Sequence, residues 1–163
     1  MLAHSVGAET PLKQVEAFNV SYARALDEGR LYDWVEFFAP DCLYVVLSRE
    51  NYDHQLPVGL VYADSQMMLH DRATTILETA MFAPRYLRHF ISNTSVEDGV
   101  NGEILSRSNY FLTQVLMDQP SATIHQVGQY VDRFVYIDGQ LKLKERQCVY
   151  DNLLLDNALV YPV

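Results

Sequence analysis

The chain has 163 residues, 49% of them hydrophobic and 20% charged, with a formal net charge of -9. Such a length specifies one domain, able to hide about 70% of the surface its unfolded chain exposes, and the composition excludes a disordered chain. The acidic excess contains no basic run, which argues against nucleic acid and against anionic membrane surfaces as partners. No window approaches the roughly 18 continuous apolar residues of a membrane span. The opening MLAHSVGAETP lacks the cationic and apolar regions of a secretory signal, so a cytoplasmic location is expected. Cys42 and Cys148 lie far apart with no metal-ligand spacing and read as buried thiols in a reducing compartment.

Residues 1–10 read as a loose tail to a single domain spanning 1–163. Thr10 and Pro11 mark a helix start, as N-cap and first helical position. Val15, Phe18, Tyr22 and Leu26 then form a stripe at helical spacing, and Gly29 ends the helix. A second helix is predicted over Leu31 to Phe38, with Leu31, Trp34, Val35 and Phe38 as core. Ala39-Pro40-Asp41 reads as a turn and Cys42 to Leu47 as an early edge strand. Ser48 to Leu60 carries Asn51, Asp53, Pro57 and Gly59 and is predicted to be a long surface loop, with a short strand at Leu60 to Tyr62.

The stretch Tyr62 to Asn93 organises the chain. Its first half is predicted to be a helix whose face carries Met68, Leu69, Arg72, Ile76 and Thr79. Its second half is the first long strand, with Pro84 at the break. Arg88 and His89 are adjacent and point to opposite faces of that strand. Asp64, Asp71, Arg72, Arg88 and His89 are thus expected to gather where helix meets sheet. Strands follow over Glu103 to Met117, Thr123 to Ile137 and Leu141 to Tyr150, and Asp138-Gly139 is the strongest hairpin signal. The basic positions of the last strand, Lys142, Lys144 and Arg146, are predicted to share a solvent- or partner-facing side. The apolar tail beyond Asp151 must pack on the chain's own sheet or on a neighbour. The order of elements implies an α+β fold: a curved antiparallel sheet wrapped around N-terminal helices as a cone.

The chain carries no glycine-rich phosphate loop, no nucleophile elbow and no Cys–His nucleophile pattern, and its five histidines are scattered. Its best catalytic arrangement is a cone cavity. There Asp64 and His89 would serve as general acid and base, with Tyr44 and Tyr62 polarising a carbonyl. The competing reading makes Asp64 and His89 satisfied members of a network holding helix to sheet.

Several motifs stand in order along the chain. They are Glu50-Asn51-Tyr52; Gly59 with Tyr62-x-Asp64; Met68-Leu69-x-Asp71-Arg72; Arg85-x-x-Arg88-His89-x-x-Ser92-Asn93; Gly128-x-Tyr130-x-Asp132; and Asp138-Gly139 with Lys142-Leu143-Lys144-Glu145-Arg146. In this order, from about Val15 onward, the sequence resembles the small (β) subunit of bacterial Rieske non-haem iron aromatic-ring-hydroxylating oxygenases. The resemblance implies the cystatin-like cone and a structural, non-catalytic role. It implies a hexamer of three large (α) and three small subunits, supplied with electrons by a ferredoxin and an NAD(P)H reductase. The Rieske 2Fe-2S cluster and the mononuclear iron would lie in the large subunit. A Rieske centre needs paired Cys and His, and neither cysteine here has a nearby His. Within that family the ADSQ and MLHDR wording points to aromatic carboxylates: salicylate (a 5-hydroxylase) first, then terephthalate, anthranilate and benzoate. Glu50, Asn51, Tyr52, Tyr62, Asp64, Arg72, Arg88, His89 and Arg146 are then structural or interface residues. The alternative is a free-standing cone-fold isomerase or dehydratase, or a small-ligand binding module, using an Asp64/His89 cavity.

Overall fold

The computed structural model describes residues 9–155 and 161–163. Helix α1 (Pro11–Asp27) starts as its sequence requires: the Thr10 side chain accepts the Lys13 amide at 3.4 Å and Pro11 fills the first turn. Val15, Phe18, Tyr22 and Leu26 are buried along one stripe. Helix α2 (Leu31–Val35) is shorter than its apolar pattern predicts, because Phe38 already opens strand β1 (Phe38–Ser48). Pro40 lies within β1 rather than in a turn. It is tolerated because the β1 ladder lapses between Phe38 and Leu43, where no amide is needed.

The loop after β1 begins with a short helix, α3 (Arg49–Asp53). Ser48 caps it by accepting the Asn51 amide at 3.2 Å. Strand β2 (Val61–Ala63) and helix α4 (Gln66–Thr74) follow, and a π-helical turn at Thr75–Thr79 ends the helical stretch. The buried face of that stretch is Leu69, Ala73 and Ile76. Met68 and Thr79, expected on it, are exposed. The long strands are β3 (Arg85–Asp98), β4 (Ile104–Leu116), β5 (Thr123–Ile137) and β6 (Gln140–Tyr150). Asp138 and Gly139 both take positive φ, 51° and 76°, as a tight two-residue hairpin demands.

The six strands form one sheet in the order β2-β1-β6-β5-β4-β3. The edge is therefore β2, not β1. The β1–β6 pair is parallel and the remaining neighbours are antiparallel. Each of the three ladders β3–β4, β4–β5 and β5–β6 carries one register shift, and such bulges bend and twist a sheet into a cone. Gly128 marks the tightest approach: a Cβ there would lie 2.0 Å from the Val149 carbonyl oxygen.

Helices α1, α2 and α4 fill the concave side. Phe18 meets Phe134 edge-on at 5.0 Å, Trp34 meets Tyr44 at 5.5 Å, and Tyr110 stacks on Tyr130 at 4.5 Å. Tyr22, Tyr44, Tyr110 and Tyr130 are all fully buried in this core. No helix among the described residues is long and apolar enough to cross a membrane.

Candidate functional site

The interior of the cone is closed by a charged cluster. Arg146 is fully buried, contrary to the solvent-facing side expected for the basic residues of β6. The cause is the bulge at Lys144. Arg133 pairs with Glu145 but Phe134 pairs with Leu143, so the inward face passes from Leu143 to Arg146 and Cys148. The guanidinium grips its cross-strand partner Asp132 with two bonds, Nε to Oδ1 at 2.9 Å and Nη2 to Oδ2 at 2.7 Å. Nη2 also donates to Asn19 Oδ1 on α1 at 2.8 Å. The rings of Tyr22 and Tyr130 sandwich the cation at 4.2 and 4.1 Å. Burial opposes the Arg146 charge, and Asp132 more than restores it, holding the group well above its usual value.

Asn19 extends the network outward. Its Nδ2 donates to Ser108 Oγ at 3.4 Å, and Ser108 lies 3.0 Å from Thr94 Oγ1. One cluster therefore ties α1 to β3, β4, β5 and β6. Beside it, Tyr22 and Tyr44 donate to the Val163 carbonyl oxygen at 2.8 and 3.3 Å, and the Cys148 thiol lies 3.6 Å from it. Tyr44 is thus sealed in the core and bonded, not at a cavity mouth.

A second polar pair sits where α1 crosses β3. His89 faces inward and Arg88 outward, as their adjacency requires. The carboxylate partner of His89 is Asp27, not Asp64: Nδ1 lies 2.7 Å from Asp27 Oδ1, and the His89 amide donates to the same carboxylate at 3.1 Å. His89 Nε2 is buried with no hydrogen-bond partner. A cleft of about 600 Å³ runs alongside, lined by Asn19, Ala23, Asp27, His89 and Ile91 among others. Asp64 is exposed just after β2, at the opposite edge of the sheet from β3, so the Asp64–His89 arrangement is not assembled. Asp27 had a readable signal: a carboxylate in the last turn of a helix opposes the helix dipole and calls for a specific partner. Asn19, Ala23 and Asp27 also recur at fourfold spacing along α1, a row aimed at β3.

The remaining candidates lie outside these clusters. Glu50 is exposed on α3, and Asn51 holds the loop by donating to the Val58 carbonyl at 2.8 Å. Tyr52 and Arg72 are half-buried and Asp71 is exposed. Leu56, Val58, Leu60, Tyr62, Met67 and Met68 expose apolar surface around β2. Tyr86 and Phe90 do so on the outer face of β3, where Phe90 lies 6.1 Å from Phe111.

The donor chemistry does not suit an iron–sulfur centre. Burial pushes the Cys42 thiol up to about 11 and the Cys148 thiol up to about 12, which disfavours the thiolates such a cluster needs. Among the described residues, no group of three or more His, Cys, Asp and Glu side chains is placed to hold a metal ion.

Comparison with known proteins places this geometry. The chain is 34% identical over 150 residues to subunit beta 2 of the terminal oxygenase component of terephthalate 1,2-dioxygenase from a Comamonas species, covering 92% of this chain and 97% of that one. It is 32% identical over 142 residues to the small subunit of anthranilate 1,2-dioxygenase from Burkholderia cepacia, covering 87% and 88%. A crystal structure from Novosphingobium aromaticivorans, of a beta subunit assigned to an aromatic-ring-hydroxylating dioxygenase, superposes with a TM-score of 0.82. It is 33% identical and covers 92% of this chain and 94% of that one. The family model described as ring hydroxylating beta subunit matches residues 21–157, and the chain belongs to that family.

Proposed function

We propose that the chain is the structural small subunit of a multicomponent aromatic-ring-hydroxylating oxygenase, contributing to an oxidoreductase without supplying its reacting groups. One observation carries this reading: the centre of the cone is occupied by the Arg146–Asp132 pair and its flanking tyrosines, where a cone-fold enzyme would need a substrate chamber. Its partner is a large subunit that holds the Rieske 2Fe-2S cluster and the mononuclear iron. The assembly is a hexamer of three large and three small subunits, cytoplasmic, and reduced through a ferredoxin and an NAD(P)H reductase.

Two exposed apolar regions support an assembly role, one around β2 and one on the outer face of β3. They lie at opposite ends of the sheet, and a closed ring needs two different contact surfaces on each subunit. Glu50, Tyr52, Tyr62 and Asp64 belong to the first region and Arg88 to the second. Asn51, Arg72, His89 and Arg146 hold the framework behind them. The substrate is an aromatic carboxylate. The terephthalate and anthranilate relatives support that class, and salicylate is the member favoured by the ADSQ and MLHDR segments.

Co-expression with the neighbouring genes tests this reading, followed by affinity capture, native mass and a visible spectrum. The expected product is a brown hexamer with iron–sulfur absorption. A colourless homo-oligomer that captures no large subunit would overturn it.

A further inference from the structure

Three donors from three elements converge on one carbonyl oxygen. Tyr22 of α1, Tyr44 of β1 and Cys148 of β6 reach the Val163 oxygen at 2.8, 3.3 and 3.6 Å. The Val163 amide returns a bond to Tyr44 Oη at 2.9 Å, so a single phenol grips both polar groups of that residue. Val163 is fully buried and Pro162 is buried beside it, where the proline brings no N–H that would need a partner. Tyr161 anchors the segment by an edge-on contact with Phe82 at 5.0 Å, just ahead of β3. Burial pushes the Tyr22 and Tyr44 hydroxyls upward, so both remain protonated donors across the physiological range.

An interior built for packing alone would set apolar groups against one another here, since buried hydroxyls without partners are costly. This wall instead presents two phenols and a thiol, arranged around a carbonyl and a small aliphatic side chain. We propose that the Tyr22–Tyr44–Cys148 wall is a peptide-recognition site inside the cone, and that Tyr161–Val163 of the same chain is its occupant. The site takes an aromatic-Pro-aliphatic segment. It reads the backbone of the last of these residues through the Tyr44 hydroxyl and holds the aliphatic side chain in the core. The chain thus fills its own chamber with a specific ligand.

Trp34, the single tryptophan, packs edge-on against Tyr44 and reports on occupancy. In the full chain, the Val163 amide should be among the slow protons in hydrogen exchange. Tyr44→Phe, which removes both the acceptor for that amide and one donor to the carbonyl, should speed its exchange at least tenfold. Amides of β4 and β5 should stay slow. A Val163 amide that exchanges at the rate of an unstructured peptide in the unaltered chain would overturn the proposal.

A chain lacking residues 161–163 should show severalfold stronger acrylamide quenching of Trp34, and a synthetic peptide of residues 159–163 added in trans should reverse it. Unchanged quenching, or a folded deletion variant that ignores the peptide, would show that the wall recognises nothing. Should the deletion variant fail to fold, the exchange of Val163 in the Tyr44→Phe chain decides alone.

Discussion

Two inward-facing polar pairs among the described residues, Arg146–Asp132 and His89–Asp27, are built to different standards. Arg146–Asp132 has both side chains fully buried, a fork of two bonds and a ring on each face of the guanidinium. His89–Asp27 has a buried imidazole, but its carboxylate keeps 14% of its exposure and borders an open cleft. The first pair joins two neighbouring strands and reaches α1 through Asn19. The second joins only α1 to the strand at the edge of the sheet. An ion pair sealed among tyrosines fixes the cone's centre, whereas a His–Asp hydrogen bond beside a cleft fixes how a helix lies on an edge strand.

The largest test breaks the sealed pair. Asp132→Ala leaves a buried, unpaired guanidinium and should lower unfolding free energy by about 3–5 kcal/mol in urea titrations. Replacing both partners, Asp132→Leu with Arg146→Met, should recover much of that loss, because the desolvation cost goes with the charges. Failure to recover would mean that the Tyr22 and Tyr130 sandwich needs the cation itself.

His89→Ala should cost less, about 1–3 kcal/mol, since Asp27 keeps its bond from the backbone amide at position 89. The same substitution should lower the yield of complex with the large subunit while leaving the iron–sulfur spectrum of intact complex unaltered. A normal yield with turnover abolished would move His89 from framework to chemistry.

Thiol labelling sharpens the contrast without altering the centre. With thiols held near 11 and 12, Cys42 and Cys148 should both resist a disulfide reagent at pH 8 and react fully once the chain is unfolded. Rapid labelling of Cys148 in the native state would mean that the centre opens. At the small end, Arg49→Ala removes an exposed pair with Asp151 at 2.5 Å and should change stability by at most about 0.5 kcal/mol in the same titrations.

Local chemistry was the legible part of this chain. The Thr10-Pro11 start, the α1 stripe, Asp138-Gly139 and the β5 limits all depend on neighbours in sequence, and the structure has them where the pattern places them. What the pattern missed depends on pairing across the sheet. Alternation along β6 put Arg146 outside, because one extra residue at Lys144 reverses the faces and nothing within β6 announces it. Pro40 carries a turn signal in its own sequence, and the lapse in the β1–β6 ladder that admits it to a strand is a property of two strands. Asp64 is closer to His89 in sequence, yet the carboxylate that meets His89 comes from the last turn of α1. The α3 helix is legible in principle, with Ser48 poised as a cap ahead of Asn51, although Pro57 and Gly59 after it carry strong loop signals.

The parallel pairing of β1 with β6 has a consequence for synthesis. The first strand to leave the ribosome finds its long neighbour only when Gln140–Tyr150 has been made, so β1 and the helices around it wait for almost the entire chain. Such distant closure makes folding slow and leaves the apolar stripe of α1 uncovered meanwhile. That exposed stripe is the surface at which a newly made chain would aggregate, and slower translation late in the message would lengthen the interval.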